Sequence, residues 1–270
     1  MGRDRFKEEN EFNDLITVNS GEEVRMIKST INKILPSDVK IKAANDSQIA
    51  LIKSIKTNEI TICAGPAGTG KTFVAMGIAL NLLKKSTNRF KKIYLVKSVK
   101  TLKDEEVGFL PGDIQEKIEP AMWSFYLNME KVINDSALKS LVEKDIVRPA
   151  PLAFIRGASL DDCIIIADEM QNVTLDNSRT LLTRIGSNAK IILLGDINQI
   201  DMRNKGESSL ETLLDLFRDT ENIGVIRMND EDANIRNPLI GTIEKKYKEY
   251  LENHVPKPNN GRRKKQQLND

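Results

Sequence analysis

The chain has 270 residues, of which 40% are hydrophobic and 30% charged, with a formal net charge of +2. That is enough for one sizeable α/β domain with tails or for two small domains. The near-balanced charge excludes bulk basicity as a route to nucleic acid and leaves only local clustering. Two cysteines, Cys63 and Cys163, and one histidine, His254, give neither a disulfide framework nor a metal-ligand spacing. Both cysteines sit in apolar runs and read as small buried hydrophobes.

Along the chain, the first element is a helix over Gly21 to Leu35, with Val24, Ile27, Ile31 and Ile34 at helical spacing and Pro36 ending it. A second helix spans Asp46 to Ile55, with Ile49, Ile52 and Ile55 on one side. A compact apolar strand follows at Glu59 to Ala64, then a glycine-rich turn and a helix from Lys71 to Lys85. The next elements are a strand at Lys92 to Val96 and a helix from Ile114 to Ile133 that carries Ile118, Met122, Phe125 and Met129. Pro149 and Pro151 punctuate a turn before a short strand at Leu152 to Ile155. Cys163 to Ala167 is a fully apolar strand, and Thr174 reads as the N-cap of a helix that ends before Gly186. A buried strand at Lys190 to Leu194, an amphipathic helix at Ser208 to Leu216 and a strand at Gly224 to Met228 complete the pattern.

Apolar strands without alternation require a sheet covered on both faces, and alternation of strands with helices requires parallel crossovers. The expected architecture is therefore α/β, a three-layer α/β/α domain around a mostly parallel sheet. It spans residues 41–250, after a charged segment with a short helix over 1–40 and before a basic, disordered tail over 251–270. The N-terminal stretch lacks the apolar core of a secretory signal, and no apolar run is long enough to span a bilayer. The expectation is a cytoplasmic protein with no membrane partner.

Gly65-Pro66-Ala67-Gly68-Thr69-Gly70-Lys71-Thr72 fits G-x-x-x-x-G-K-[ST] at every fixed position, between a strand and a helix. The glycines let successive backbone N–H groups turn inward around phosphate oxygens, and the helix N-terminus adds a favourable dipole. Lys71 offers a positive charge to the β- and γ-phosphates of ATP, and the Thr72 hydroxyl a ligand to Mg²⁺. The strand from Cys163 delivers Asp168 and Glu169 to the carboxyl edge of the sheet, where open α/β folds bind ligands. Asp168 is the expected Mg²⁺ partner and Glu169 the group that orients an attacking water. A third strand ends in Gly195-Asp196-Ile197-Asn198-Gln199, which offers Gln199 to the γ-phosphate.

These elements, in this order, resemble the PhoH family of P-loop ATPases, which is similar to the RecA-like core of superfamily 1 helicases. The resemblance runs from about Asn45 to about Tyr250. It includes Gln48 upstream of the phosphate loop, Val107-Gly108-Phe109-Leu110-Pro111-Gly112-Asp113, Ile155-Arg156-Gly157, Asp168-Glu169-Met170-Gln171-Asn172, Leu182-Thr183-Arg184-Ile185-Gly186 and Ile235-Arg236-Asn237-Pro238-Leu239. It implies a RecA-like sheet with the Gly195 strand between the phosphate-loop strand and the Asp168 strand. It also implies ATP and Mg²⁺ as ligands, an adenine contact from Gln48, and a ring-like homo-oligomer such as a hexamer. In such rings a neighbour's arginine completes the site, and the candidates are Arg236 and then Arg184. Departures from the family pattern are Lys97-Ser98 for an Arg-Pro pair, Met170 for alanine and Asn237 for histidine.

Three functions fit this pattern. The first is an ATPase coupled to single-stranded RNA or DNA, with helicase action as its fullest form. Lys91, Lys92, Lys97, Lys100 and Lys103 are its candidate phosphate contacts, with Ser98 or Thr101 for hydrogen bonds. Trp123, Phe125 and Tyr126 are candidate stacking surfaces, although aromatics at helical spacing are more often core. The second is a stand-alone ATPase switch or assembly factor that acts on a protein. The third, a small-molecule kinase, is disfavoured by Glu169 and Gln199.

Overall fold

In the computed structural model of the chain, residues 22–85, 90–97, 114–155, 159–202, 204–229 and 238–254 are described. Six strands form one sheet: β1 Ile60–Ala64, β2 Lys92–Lys97, β3 Val147–Pro151, β4 Cys163–Asp168, β5 Lys190–Gly195 and β6 Ile223–Arg227. Their order across the sheet is β3-β2-β4-β5-β1-β6, and every pairing is parallel. The Gly195 strand thus lies between the phosphate-loop strand and the Asp168 strand, and the sheet is RecA-like.

Successive side chains of a strand point to opposite faces, so each central strand feeds two cores. Cys63, Leu95, Ile164, Ile166, Ile192 and Leu194 enter the core on one face. Ile62, Val96, Ile165, Ala167, Ile191 and Leu193 enter the core on the other. β5 is buried along its whole length. Each Ile or Leu removed from water there contributes about 1.5–3 kcal/mol, so the middle of the sheet is its most strongly held part. Burial pushes the thiols of Cys63 and Cys163 up to about 12, which keeps both protonated and unreactive.

The first core is roofed by α1 (residues 22–34), α2 (Asp46–Thr57), α3 (Lys71–Lys84), α4 (Ile114–Glu130) and α5 (Asp135–Glu143). The second is covered by α6 (Leu175–Leu182) and α7 (Leu210–Leu216), and α8 spans Pro238–His254. The chain between α1 and α2 is tied to α3, where Val39 and Asn81 exchange two hydrogen bonds of 2.8 Å. Gly77 on α3 leaves room for Ile41, whose Cδ1 a Cβ would approach to 2.2 Å.

Most elements fall where the pattern puts them. Thr174 caps α6, its hydroxyl accepting from the Asn177 N–H. Three readings change. The strand expected at Leu152 to Ile155 is a 3-10 turn, and the strand is the proline-bearing stretch before it. β3 is an edge strand. The Ile93 N–H donates to the Ile146 carbonyl at 2.9 Å, so residues 146, 148 and 150 face β2, while Pro149 and Pro151 face outward, where no donor is needed. On α2 the buried residues are Gln48, Leu51, Ser54 and Ile55, and Ile49 is exposed. Finally, α5 forms where no helix was expected, capped by Asn134, whose side chain accepts from the Ala137 N–H at 2.9 Å.

Lys28 on α1 is buried and donates to the Leu83 carbonyl in the last turn of α3. Burial pulls its ammonium down to about 8. A lysine lowered in the folded state binds fewer protons there than in the unfolded chain, so stability rises with pH between about 8 and the unfolded value. Denaturant titrations should show wild-type stability gaining on Lys28→Met from pH 8 to 10; parallel pH profiles for the two proteins would rule this out.

Candidate nucleotide-binding site

The turn after β1 is shaped by two glycines with left-handed backbone, Gly68 at φ 81° and Gly70 at φ 80°. Gly70 is also confined from outside, because a Cβ would lie 2.6 Å from Gln48 Nε2. Gln48 is buried at the start of α2 and works in two directions. Its carbonyl oxygen accepts from the Ala44 N–H at 2.9 Å, and its amide donates to the Thr69 carbonyl at 2.8 Å. Gln48 therefore braces the loop that runs from Gly65 to Thr72.

Lys71 opens α3 and is buried. Its ammonium donates to the carbonyls of Gly65 at 2.6 Å and Pro66 at 2.8 Å, and lies 3.3 Å from the Thr69 hydroxyl. Burial lowers its pKa, opposed by the negative groups around it, Asp168, Asp196 and Glu169 among them. The next residue, Thr72, donates through its hydroxyl to Asp168 Oδ2 at 2.8 Å. Asp168 Oδ1 accepts from the Glu169 N–H at 2.9 Å. Burial raises the Asp168 carboxyl above its ordinary range, and the Thr72 hydroxyl works against the rise.

These groups border a cavity of about 430 Å³ at the carboxyl edge of the sheet, within the size range of small-ligand sites. Ala67, Gly68, Gly70, Lys71, Thr72, Asp168, Glu169 and Gln199 line it, with Gln48 at one end. A smaller hollow of about 250 Å³ lies across the phosphate loop, lined by Gly65, Pro66 and Asn198, and contains none of the charged groups of the larger cavity. For a divalent cation, the donors on offer are one carboxylate and one hydroxyl at hydrogen-bond distance. That set suits Mg²⁺, which takes one or two protein oxygens and fills the rest of its shell with water and phosphate. No group of three or more His, Cys, Asp or Glu able to hold a metal occurs among the described residues.

The cavity also contains residues that pattern reading missed. Lys42, Ser124, Asn128, Lys131 and Asp196 also line it. α4 turns Ser124 and Asn128 inward, with the Lys97 ammonium 3.1 Å from the Ser124 hydroxyl. The signal was the i, i+4 spacing of Ser124 and Asn128 on a helix otherwise read for its apolar side.

Other expected residues fall outside the description or away from the cavity. Arg236 lies outside the described residues, as do Ser98, Lys100, Thr101 and Lys103. The Arg184 carbonyl accepts from the Leu160 N–H at 3.0 Å, near the start of β4. Arg184 is therefore at the opposite edge of the sheet from its own phosphate loop. The lysine cluster is split in the same way. Of its three described members, Lys91 and Lys92 sit at the start of β2, paired with Glu23 and Asp162 and with Asp145, and Lys97 reaches the carboxyl edge. Of the aromatics, Phe125 is fully buried, Tyr126 packs on the core and Trp123 is exposed.

A parallel RecA-like sheet whose first strand runs into this loop and whose fourth carries Asp168 beside Thr72 defines a P-loop nucleotide-binding protein. The sequence profile described as PhoH-like protein matches residues 40–248. The chain belongs to the PhoH-like family. It is 32% identical over 247 residues to a PhoH-like protein of Synechocystis, covering 92% of this chain and 74% of that one. To a PhoH-like protein of Bacillus subtilis it is 34% identical over 207 residues, covering 77% and 64%. Protein PhoH of Escherichia coli is 33% identical over 196 residues, covering 72% of this chain and 54% of that protein. The chain thus spans less than two thirds of the Bacillus and Escherichia relatives. Among solved structures, the large terminase of a thermophilic bacteriophage aligns with TM-score 0.44 and 11% identity, over 75% of this chain and 49% of that one. The Sulfolobus solfataricus SWI2/SNF2 ATPase core in complex with dsDNA aligns with TM-score 0.42 and 14% identity, over 81% and 54%. Both likenesses are distant.

Gln48→Ala removes a buried side chain that makes two hydrogen bonds and leaves the Ala44 N–H and the Thr69 carbonyl without it. Such a loss costs about 1–3 kcal/mol. Urea denaturation should show that decrease, and unchanged stability would mean the brace carries no weight.

Proposed function

We propose that the protein hydrolyses ATP with Mg²⁺ at this cavity, in a domain spanning residues 41–250, and couples the reaction to single-stranded RNA or DNA in the cytoplasm. The observation that carries the hydrolysis reading is the 2.8 Å hydrogen bond between Thr72 and Asp168, with Lys71, Glu169 and Gln199 on the walls of the same cavity.

In this reading the N–H groups of residues 65–72 hold the phosphates, and Lys71 exchanges its loop carbonyls for β- and γ-phosphate oxygens. Thr72 and Asp168 would hold Mg²⁺, which would supply charge neutralisation to the phosphates. Glu169 orients a water toward the γ-phosphorus and takes its proton. The water oxygen bonds to phosphorus, the bond to the β-phosphate oxygen breaks, and ADP and phosphate result. Gln199 meets the γ-phosphate from the rim. A second subunit in a ring-like homo-oligomer supplies the arginine, with Arg236 ahead of Arg184.

Exposed Trp123, next in sequence to the cavity-lining Ser124, favours a nucleic-acid track because it offers a stacking surface on the helix that borders the cavity. The switch reading also has an observation in its favour. Lys91 and Lys92 are engaged by carboxylates, and α8 presents exposed Leu239, Ile243, Tyr247 and Tyr250 at helical spacing, a surface suited to protein.

Glu169→Gln should lower turnover by about 100-fold or more while leaving nucleotide binding within a few-fold, and Lys71→Ala should abolish binding. Turnover is measured with and without single-stranded RNA and DNA. Stimulation by one polymer supports the nucleic-acid coupling, and indifference to both favours the protein switch. Equal turnover in wild type and Glu169→Gln would falsify the hydrolytic assignment.

A further inference from the structure

Two residues after Glu169, Gln171 is fully buried at 0% exposure and uses both ends of its amide. The nitrogen donates to Glu169 Oε2 at 2.6 Å and to the Gln199 carbonyl at 3.2 Å. The oxygen accepts from the Asp196 N–H at 3.0 Å. One side chain therefore joins the turn after β4, which carries Glu169, to the turn after β5, which carries Gln199. A buried amide satisfied on both atoms is costly to disturb and fixes whatever it touches.

Two further observations show the junction is built in. Gly195 leaves room for it, because a Cβ at that position would lie 2.7 Å from Gln171 Oε1 and 2.6 Å from Leu210 Cδ2. Glu169 itself is held at φ 58°. The other described non-glycine residues with positive φ are Asp145, Asp162, Asn188, Asp219 and Asn222. Those two residue types tolerate this conformation through local hydrogen bonds, and glutamate does so rarely. The strain at Glu169 persists only where surrounding contacts over-determine it, and the Gln171 amide is one such contact.

We propose that Gln171 is a positioning residue that aims the Glu169 carboxylate and ties its place to that of the Gln199 loop. Contact of Gln199 with a terminal phosphate is then felt at the group that orients water. The inference rests on the hydrolytic reading above.

The test compares wild type, Gln171→Met, Gln199→Ala and their double variant for kcat, KM and the dissociation constant of a fluorescent ADP analogue. Gln171→Met keeps the shape and removes all three hydrogen bonds. A misplaced carboxylate costs about 10- to 100-fold in kcat, with nucleotide affinity within about threefold because Gln171 touches none of the phosphate-loop residues. Gln199→Ala should lower kcat by a larger factor in wild type than in the Gln171→Met background, the non-additivity expected of coupled residues. If Gln171→Met does not fold, Gln171→Asn keeps an uncharged amide that is one methylene too short to span both turns, and should show the same split. Wild-type kcat in either folded variant, equal losses in kcat and affinity, or additive losses in the double variant each overturn the inference and leave hydrolysis standing. Absence of turnover in wild type overturns the hydrolytic reading and this inference with it.

Discussion

The site depends on one strand lying between two others. β5 is paired on one side with β1, Ala64 opposite Gly195, and on the other with β4, Ala167 opposite Leu193. Parallel neighbours are about 4.8 Å apart, so the ends of β1 and β4 stand roughly 10 Å apart and level with each other. That gap admits the phosphate loop, and its far side is within reach of Asp168. With one more strand between β1 and β4, Thr72 and Asp168 would not meet.

The same arrangement concentrates unlike charges where water is scarce. Lys71 is lowered by burial and Asp168 is raised by it, so each ion is held at a cost and each is only partly offset by the other. A phosphate against Lys71 and a cation against Asp168 offset both costs together. The charges of the protein alone are thus incompletely balanced.

How much of this was legible in the sequence follows from where each signal resides. β1, β4 and β5 are unbroken apolar runs, and a run of that kind has few alternatives to a central strand. The phosphate loop is fixed by spacing that only glycine can satisfy, as the backbone of Gly68 and Gly70 shows. β3 was misplaced because Pro149 and Pro151 read as a turn, and nothing local reveals that a strand lies at an edge. α5 was missed although Asn134 caps it and Ala137, Leu138 and Leu141 supply its buried side; at nine residues its periodicity is short. The split of the lysine cluster was out of reach for a geometric reason. Lys92 and Lys97 are five positions apart in sequence, yet a strand carries that interval along its full length, to opposite edges of the sheet. Gln171 was read as a family mark, and its role emerges only once the loop after β5 is placed beside it.

The outward-facing prolines of β3 bear on how these molecules behave in a crowd. A bare sheet edge invites another chain to add a strand, and an open row of donors is the template for aggregation. At β3 two successive outward positions, Pro149 and Pro151, carry no donor, so that margin cannot zip onto a stranger. An edge built this way is protected against indiscriminate backbone association, and it leaves side-chain surfaces as the way another molecule is met.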